Sequence, residues 1–401
     1  MKKIYYGKAV YDYKEIKAVT KVLKEQPLQL IDGKNVKKLE KKICKLFGKK
    51  YGLMVNSGSS ANLLAISSLN LKNGSEVITP NLTFSTTVAP IFQLGLKPHF
   101  IGVLENKFVA DSHQIEKCIN KNTVAIMIPN LLGNIPDWNK INKIAKKYKL
   151  KIIEDSADTI GYRINNKING KLSDVVTNSF YASHIINGAG FGGIVCFNDY
   201  KLYQKAKLLR GWGRSSATFN ESEHVKDRFN IKISGIQYDK KYIFSELGYN
   251  FLPSEISAAF ALEQLKKLQK NIKLRERNFE YLKTYFNKFI NYFKLPDQYK
   301  NVKTPWLAFP LVIKKNKKFN RKQLQIFFEE RKIQTRTIFT GNILKQPIMK
   351  NKVFKYHKNS NKVADDVMIN GILIGCHQGL KINDLKYICS TFEKFVKSKK
   401  L

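Results

Sequence analysis

Ser179-Phe-Tyr-Ala-Ser-His184-Ile-Ile-Asn-Gly188-Ala-Gly190-Phe-Gly192-Gly193 is followed at once by the apolar run Ile194–Phe197. A dinucleotide-binding glycine fingerprint needs a strand before its glycines and a helix after them. Here a strand follows, so nicotinamide or flavin dinucleotide binding is disfavoured. Glycines between two strands allow the backbone to pass close beneath a bound ring. His184 lies just ahead of them, and an imidazole takes and gives protons near neutral pH. No lysine lies between Lys171 and Lys201.

Outward from this segment, short apolar strands alternate with helices: Gly52–Val55, Glu76–Ile78, Val124–Ile128, Lys151–Glu154, Val175–Phe180 and Gly193–Phe197. That alternation predicts an α/β domain, a mostly parallel sheet covered by helices on both faces. Helices are expected around Tyr13 to Glu25, Val36 to Phe47 and Pro253 to Leu265, and the stretch from Lys226 to Tyr249 reads as irregular and aromatic. A lysine-rich helix to about Tyr292 is followed by strands such as Leu307–Ile313 and helices such as Arg321–Arg331. The expected division is a large domain over 1–265, N-terminal segment included, and a smaller α+β domain over 266–401.

The 401 residues, 43% hydrophobic and 12% aromatic, suit a folded enzyme, and the net charge of +40 comes almost entirely from lysine. A positive field attracts phosphate backbones, yet these lysines are spread along the whole chain, which argues against a nucleic-acid partner. Cys44, Cys118, Cys196, Cys376 and Cys389 form no CxxC pair, against a zinc site or a disulfide framework. A reducing cytoplasm fits. The first residues lack the apolar stretch of a signal peptide, and no apolar run is long enough for membrane insertion.

Two further stretches carry chemistry. In Val55-Asn-Ser57-Gly58-Ser59-Ser60-Ala61-Asn62-Leu63-Leu64 a strand ends in a Gly/Ser turn that opens a helix. Backbone N–H groups, hydroxyls and the helix dipole converge there on a point that suits a phosphate; ordinary capping by Ser and Asn accounts for the same residues. Lys151-Ile-Ile-Glu154-Asp155-Ser-Ala-Asp158 delivers an acid at the C-terminal edge of a buried strand, where open α/β sheets bind ligands. A carboxylate facing a pyridine nitrogen keeps it protonated and electron-withdrawing; capping of the next segment is the alternative.

In order and spacing these stretches resemble the cofactor site of the DegT/DnrJ/EryC1/StrS sugar aminotransferases, which use pyridoxal phosphate on an aspartate-aminotransferase-like fold of type I. The resemblance continues through Val77-Ile-Thr-Pro80-Asn-Leu-Thr-Phe84-Ser-Thr-Thr87, Leu209-Arg210-Gly-Trp212-Gly-Arg214, Leu247-Gly-Tyr-Asn250, Thr335-Arg336-Thr-Ile-Phe-Thr-Gly341 and Ile374-Gly-Cys-His377-Gln-Gly379. It implies that Gly58, Ser59 and Ser179 hold the cofactor phosphate and that Phe84 stacks on the ring, where the dehydratases of the family usually place a tryptophan. Asp155 would pair with the ring nitrogen. Asp158 stands near the phenolic oxygen, where the family more often has an amide, and Asn250 would reach the phosphate of a neighbouring subunit in a homodimer.

In that family a lysine occupies the position of His184 and joins covalently to the cofactor aldehyde, which an imidazole cannot do. The swap resembles a branch of nucleotide-sugar 3-dehydratases. It implies C3 deoxygenation of a nucleotide-linked 4-keto-6-deoxyhexose through pyridoxamine phosphate, with His184 as the proton carrier and glutamate as the amine donor, in dideoxysugar and O-antigen synthesis. A relative in the branch holds an iron–sulfur cluster just after the Arg-x-Trp-Gly-Arg segment. Ser215 to Phe229 contains no cysteine, and such a cluster needs thiolates, so no cluster and no partner reductase are expected. An aminotransferase that tolerates histidine and a catalytically silent cofactor-binding paralogue are the competing readings. His224 and His377 are the alternative bases if His184 is not the one.

Overall fold

The computed structural model describes residues 3–25, 30–168, 170–218 and 225–400. Its main sheet is built from β1 (Tyr51–Val55), β2 (Glu76–Pro80), β3 (Lys97–Ile101), β4 (Thr123–Pro129), β5 (Lys151–Asp155), β6 (Val175–Ser179), β7 (Gly193–Phe197) and β8 (Lys355–Tyr356). The spatial order is β1-β7-β6-β5-β4-β2-β3-β8. Every pair from β6 to β8 is parallel, and β7 runs antiparallel to both of its neighbours.

Side chains alternate across a strand, and the cores follow that period. Leu53, Ala125, Met127, Ile153, Val175 and Val195 enter the cluster on one face. Met54, Ile126, Ile128, Ile152, Val176 and Ile194 enter the cluster on the other. Burial on both faces explains why these strands read as continuous apolar runs.

A separate apolar cluster unites the helices Leu268–Asn287, Arg321–Glu330 and Ile382–Lys399 with the antiparallel strands Phe293–Lys294, Phe309–Ile313 and Gly371–Ile374. Two segments cross the sequence position 265. Ile4 pairs with Ile333 and belongs to this second cluster, and Lys355–Tyr356 is the edge strand of the main sheet.

Several details depart from the sequence reading. Lys97-Pro-His-Phe-Ile101 is a strand that Pro98 obscures, because proline cannot donate to a ladder. The stretch read as irregular holds a short helix, Val225–Phe229, and a hairpin pairing Ile231–Ile233 with Ile236–Tyr238. Ser234 and Gly235 turn it, both at positive φ, as a two-residue hairpin loop requires.

Candidate active site

The C-terminal ends of β4, β5 and β6 open on a cavity of about 600 Å³, the edge at which parallel sheets bind ligands. The glycine-serine turn supplies one wall. Ser57 caps the helix Gly58–Ser68, and its Oγ accepts the Ser60 N–H at 3.0 Å. Capping is therefore real, and it leaves the N–H groups of Gly58 and Ser59, the first two of the helix, for a ligand. Both residues line the cavity, as does Ser179 at the end of β6. A Cβ on Gly58 would lie 2.5 Å from Ser179 Cβ, so the turn and the strand meet this closely only with glycine there.

Asp155 ends β5 and is buried. Its Oδ2 accepts from Asn62 Nδ2 and Thr87 Oγ1, each at 2.8 Å, and its Oδ1 accepts the Ala157 N–H at 3.1 Å. Asn62 is oriented in turn, since its Oδ1 accepts from Thr177 Oγ1 at 2.6 Å. A carboxylate has about four lone-pair sites, so one oxygen does cap locally while a site on Oδ1 stays open. Burial raises the pKa of Asp155, and a cation in the cavity would offset that.

Phe84 precedes the helix Ser85–Gln93 and lines the cavity with 49% of its surface exposed, edge-on to Phe339 at 5.9 Å. It is not a core aromatic; it offers a free ring face. Opposite the turn, His184 Nδ1 lies 3.2 Å from the Ser179 carbonyl oxygen. A carbonyl only accepts, so Nδ1 carries the proton and Nε2 is left with its lone pair. Nε2 faces Asp158 Oδ1 at 3.8 Å, and Asp158 Oδ2 accepts the Leu132 N–H at 2.8 Å. Burial pulls His184 down to about 4, with the Arg275 guanidinium also lowering it. Asp158 is pushed up to about 7 by burial, with Asp155 adding to the shift. The imidazole is thus neutral at neutral pH and able to accept a proton at Nε2. Among the described residues, no lysine lines the cavity.

Seven of the eight site residues expected from the sequence are brought together here. Asn250 is not: it is exposed and bridges Gly211 away from the cavity. Around it Trp212, Tyr242, Phe244 and Leu247 are exposed as well, Leu247 at 96%. His377 is excluded as a base. Its Nε2 donates to the Tyr5 carbonyl at 3.1 Å, its Nδ1 accepts the Gly379 N–H at 3.2 Å, and it does not line the cavity. His224 lies outside the described residues. Asn62, Thr87 and Tyr6 have no local sequence signal that marks them for this cavity, and all three line it through packing. The five cysteines are buried and unpaired, and no His/Cys/Asp/Glu group fit to hold a metal is found among the described residues. No helix among them is long and apolar enough to cross a membrane.

The model of the DegT/DnrJ/EryC1/StrS aminotransferase family matches residues 10–393. The chain belongs to this family. Among relatives of this DegT/DnrJ/EryC1/StrS member, the lipopolysaccharide biosynthesis protein RfbH of Salmonella typhimurium is 34% identical over 367 residues, 89% of this chain and 84% of its own. The GDP-4-keto-6-deoxy-D-mannose 3-dehydratase of Escherichia coli O55:H7 is 33% identical over 390 residues, 95% and 97% of the two chains. A solved E. coli enzyme of that name, with bound hydrated PLP, superposes with a TM-score of 0.86 at 31% identity, covering 98% of this chain and 99% of that one; another such structure holds a trapped PLP-glutamate geminal diamine. GDP-perosamine synthase of Caulobacter vibrioides is 30% identical over 245 residues, 61% and 60% of the chains. The fold of this family member is the type I fold of PLP enzymes, and its cofactor is pyridoxal phosphate with its amine form. The cavity fits that group: paired N–H donors and a serine for a phosphate, an open carboxylate site for a ring nitrogen, and an aromatic face.

Proposed function

We propose that this chain is a 3-dehydratase of a nucleotide-linked 4-keto-6-deoxyhexose, with glutamate as its amine donor. The observation that carries this reading is His184, held by Ser179 with Nε2 free in a cavity that no lysine lines. Bound pyridoxamine phosphate supplies an electron sink that makes loss of the C3 hydroxyl feasible. Gly58, Ser59 and Ser179 bind its phosphate, Phe84 covers its ring, and Asp155 keeps the ring nitrogen protonated. His184 Nε2 would be the proton carrier, accepting a proton and then giving it to the departing hydroxyl, as one base can when both centres are within hydrogen-bond reach. Asp158, 3.8 Å away, steadies the imidazolium formed between the two transfers.

The enzyme acts as a cytoplasmic homodimer in this proposal. Asn250 and the exposed aromatics beside it form a surface suited to a second copy, through which Asn250 reaches the partner's phosphate. O-antigen synthesis is the pathway class that the similarity to RfbH favours.

The second reading is an aminotransferase, which the similarity to GDP-perosamine synthase favours. Incubation with PLP, ¹⁵N-glutamate and a panel of nucleotide-4-keto-6-deoxy sugars separates the two by mass spectrometry. Loss of the C3 hydroxyl with labelled ammonia released supports the dehydratase. A sugar that retains the label and its C3 hydroxyl overturns it. PLP uptake with neither product formed would point to a catalytically silent paralogue.

A further inference from the structure

The N-terminal segment brings Tyr6 into the wall of the same cavity, which His184 also lines. Its backbone is anchored at each step. The Ile4 N–H donates to the Lys332 carbonyl at 2.8 Å, the Tyr5 carbonyl accepts from His377 Nε2 at 3.1 Å, and the Tyr6 N–H donates to Gln334 Oε1 at 3.1 Å. Gly7 then passes directly over the His184 segment, where a Cβ would fall 2.7 Å from Ser183 Cβ. The Tyr6 ring lies under the Arg336 guanidinium, 5.3 Å from its centroid, and Ser183 is among the side chains that act on its phenol. Ser183 also lines the cavity.

Both side chains line the cavity, and each hydroxyl has one proton to donate and lone pairs with which to accept. The pair sits on the His184 side of the cavity, where the reacting carbons must lie for Nε2 to reach them. We propose that Tyr6 and Ser183 recognise the C3 hydroxyl of the sugar and are specificity-determining residues of this site. The inference rests on the reading of the chain as a nucleotide-sugar enzyme. Burial raises the pKa of the Tyr6 phenol, so it stays protonated near neutral pH and acts as a hydroxyl partner, not as a base. A site built to bond a substrate hydroxyl rejects the analogue lacking it far more strongly than an apolar pocket does, because its own polar groups are then left unpaired.

The test is a binding cycle with the PLP-loaded enzyme and two nucleotide-linked 6-deoxyhexoses that carry a hydroxyl at C4, so that neither reacts, and differ only at C3. Calorimetry is expected to show that wild type binds the 3-hydroxy sugar about tenfold or more tighter than the 3-deoxy sugar, and that Tyr6→Phe, which keeps the ring under Arg336, abolishes most of that ratio. A ratio near one in wild type overturns the proposal with no variant needed, and a ratio retained in folded Tyr6→Phe overturns it too. Binding of neither sugar by wild type overturns the nucleotide-sugar reading itself.

Discussion

Asp155→Asn removes a charge while keeping a shape, and the surroundings of Asp155 set what should follow. An amide has one oxygen and one NH₂ in place of two oxygens. Turning the oxygen towards Asn62 and Thr87 preserves the two 2.8 Å bonds. The NH₂ then opposes the Ala157 N–H, which lies 3.1 Å from Oδ1 in wild type. One bond is lost and a buried donor is left unpaired, a cost of about 1–3 kcal/mol in stability. The same NH₂ occupies the open site reserved for the ring nitrogen, and a donor there cannot keep the ring protonated. Turnover is expected to fall by at least about 10²–10³-fold, the range seen when a preorganised electrostatic partner is removed. Cofactor affinity should fall far less, because Gly58, Ser59 and Ser179 are untouched. Absorbance titration with PLP gives the affinity, ammonia release gives the turnover, and urea unfolding gives the stability. Turnover within about threefold of wild type in a folded variant would refute the role of Asp155 and leave it as the cap of the 156–158 turn, with the expected drop of at least about 10²-fold unrealised.

Two other perturbations follow from the same geometry. His184→Lys places an amine within the cavity and loses the bond to the Ser179 carbonyl; after borohydride treatment the variant should keep covalently attached cofactor, whereas wild type keeps none, and dehydration should collapse. Peptide mapping by mass spectrometry reads the adduct, and dehydration at the wild-type rate would take the base role away from His184. Asp158→Asn tests the titration of the His184 pair in the cofactor-free protein. With Asp158 raised from 3.8 to about 7, the folded state binds the extra proton between those values, so this carboxyl makes stability fall as pH rises. His184, lowered from 6.5 to about 4, acts oppositely: its contribution is present above 6.5 and is lost as pH falls towards 4. Removing Asp158 should therefore make stability climb more steeply between pH 4 and 6.5, by up to about 1.4 kcal/mol per pH unit. Parallel wild-type and variant curves in urea melts across that window would show that Asp158 is already ionised there.

The chemistry concentrated in short windows was legible without coordinates. A strand, a Gly/Ser turn and a helix start at Ser57–Ser60 are local events governed by capping. An acid at the end of β5 is equally local, and the glycines before β7 exclude a dinucleotide loop because only the order of strand and helix matters. His184 announces its chemistry by residue type alone. Sequence order could not supply the partners that give these residues their states. Asp155 takes its donors from Asn62 and Thr87, 93 and 68 positions away, and their pairing depends on β5 lying next to β6 and below the helix Gly58–Ser68. His377 looked like any other available histidine until Tyr5 and Gly379 were seen to occupy both of its nitrogens. That the Phe84 ring is half exposed and lines the cavity is a matter of packing that its neighbours in the chain do not reveal. Tyr6 enters the cavity only because Ile4 pairs with Ile333 across the whole chain. Capping, turn chemistry and strand alternation act over a few residues and are written into composition, whereas burial, tautomer and hydrogen-bond saturation depend on which distant segments the packed core brings into contact.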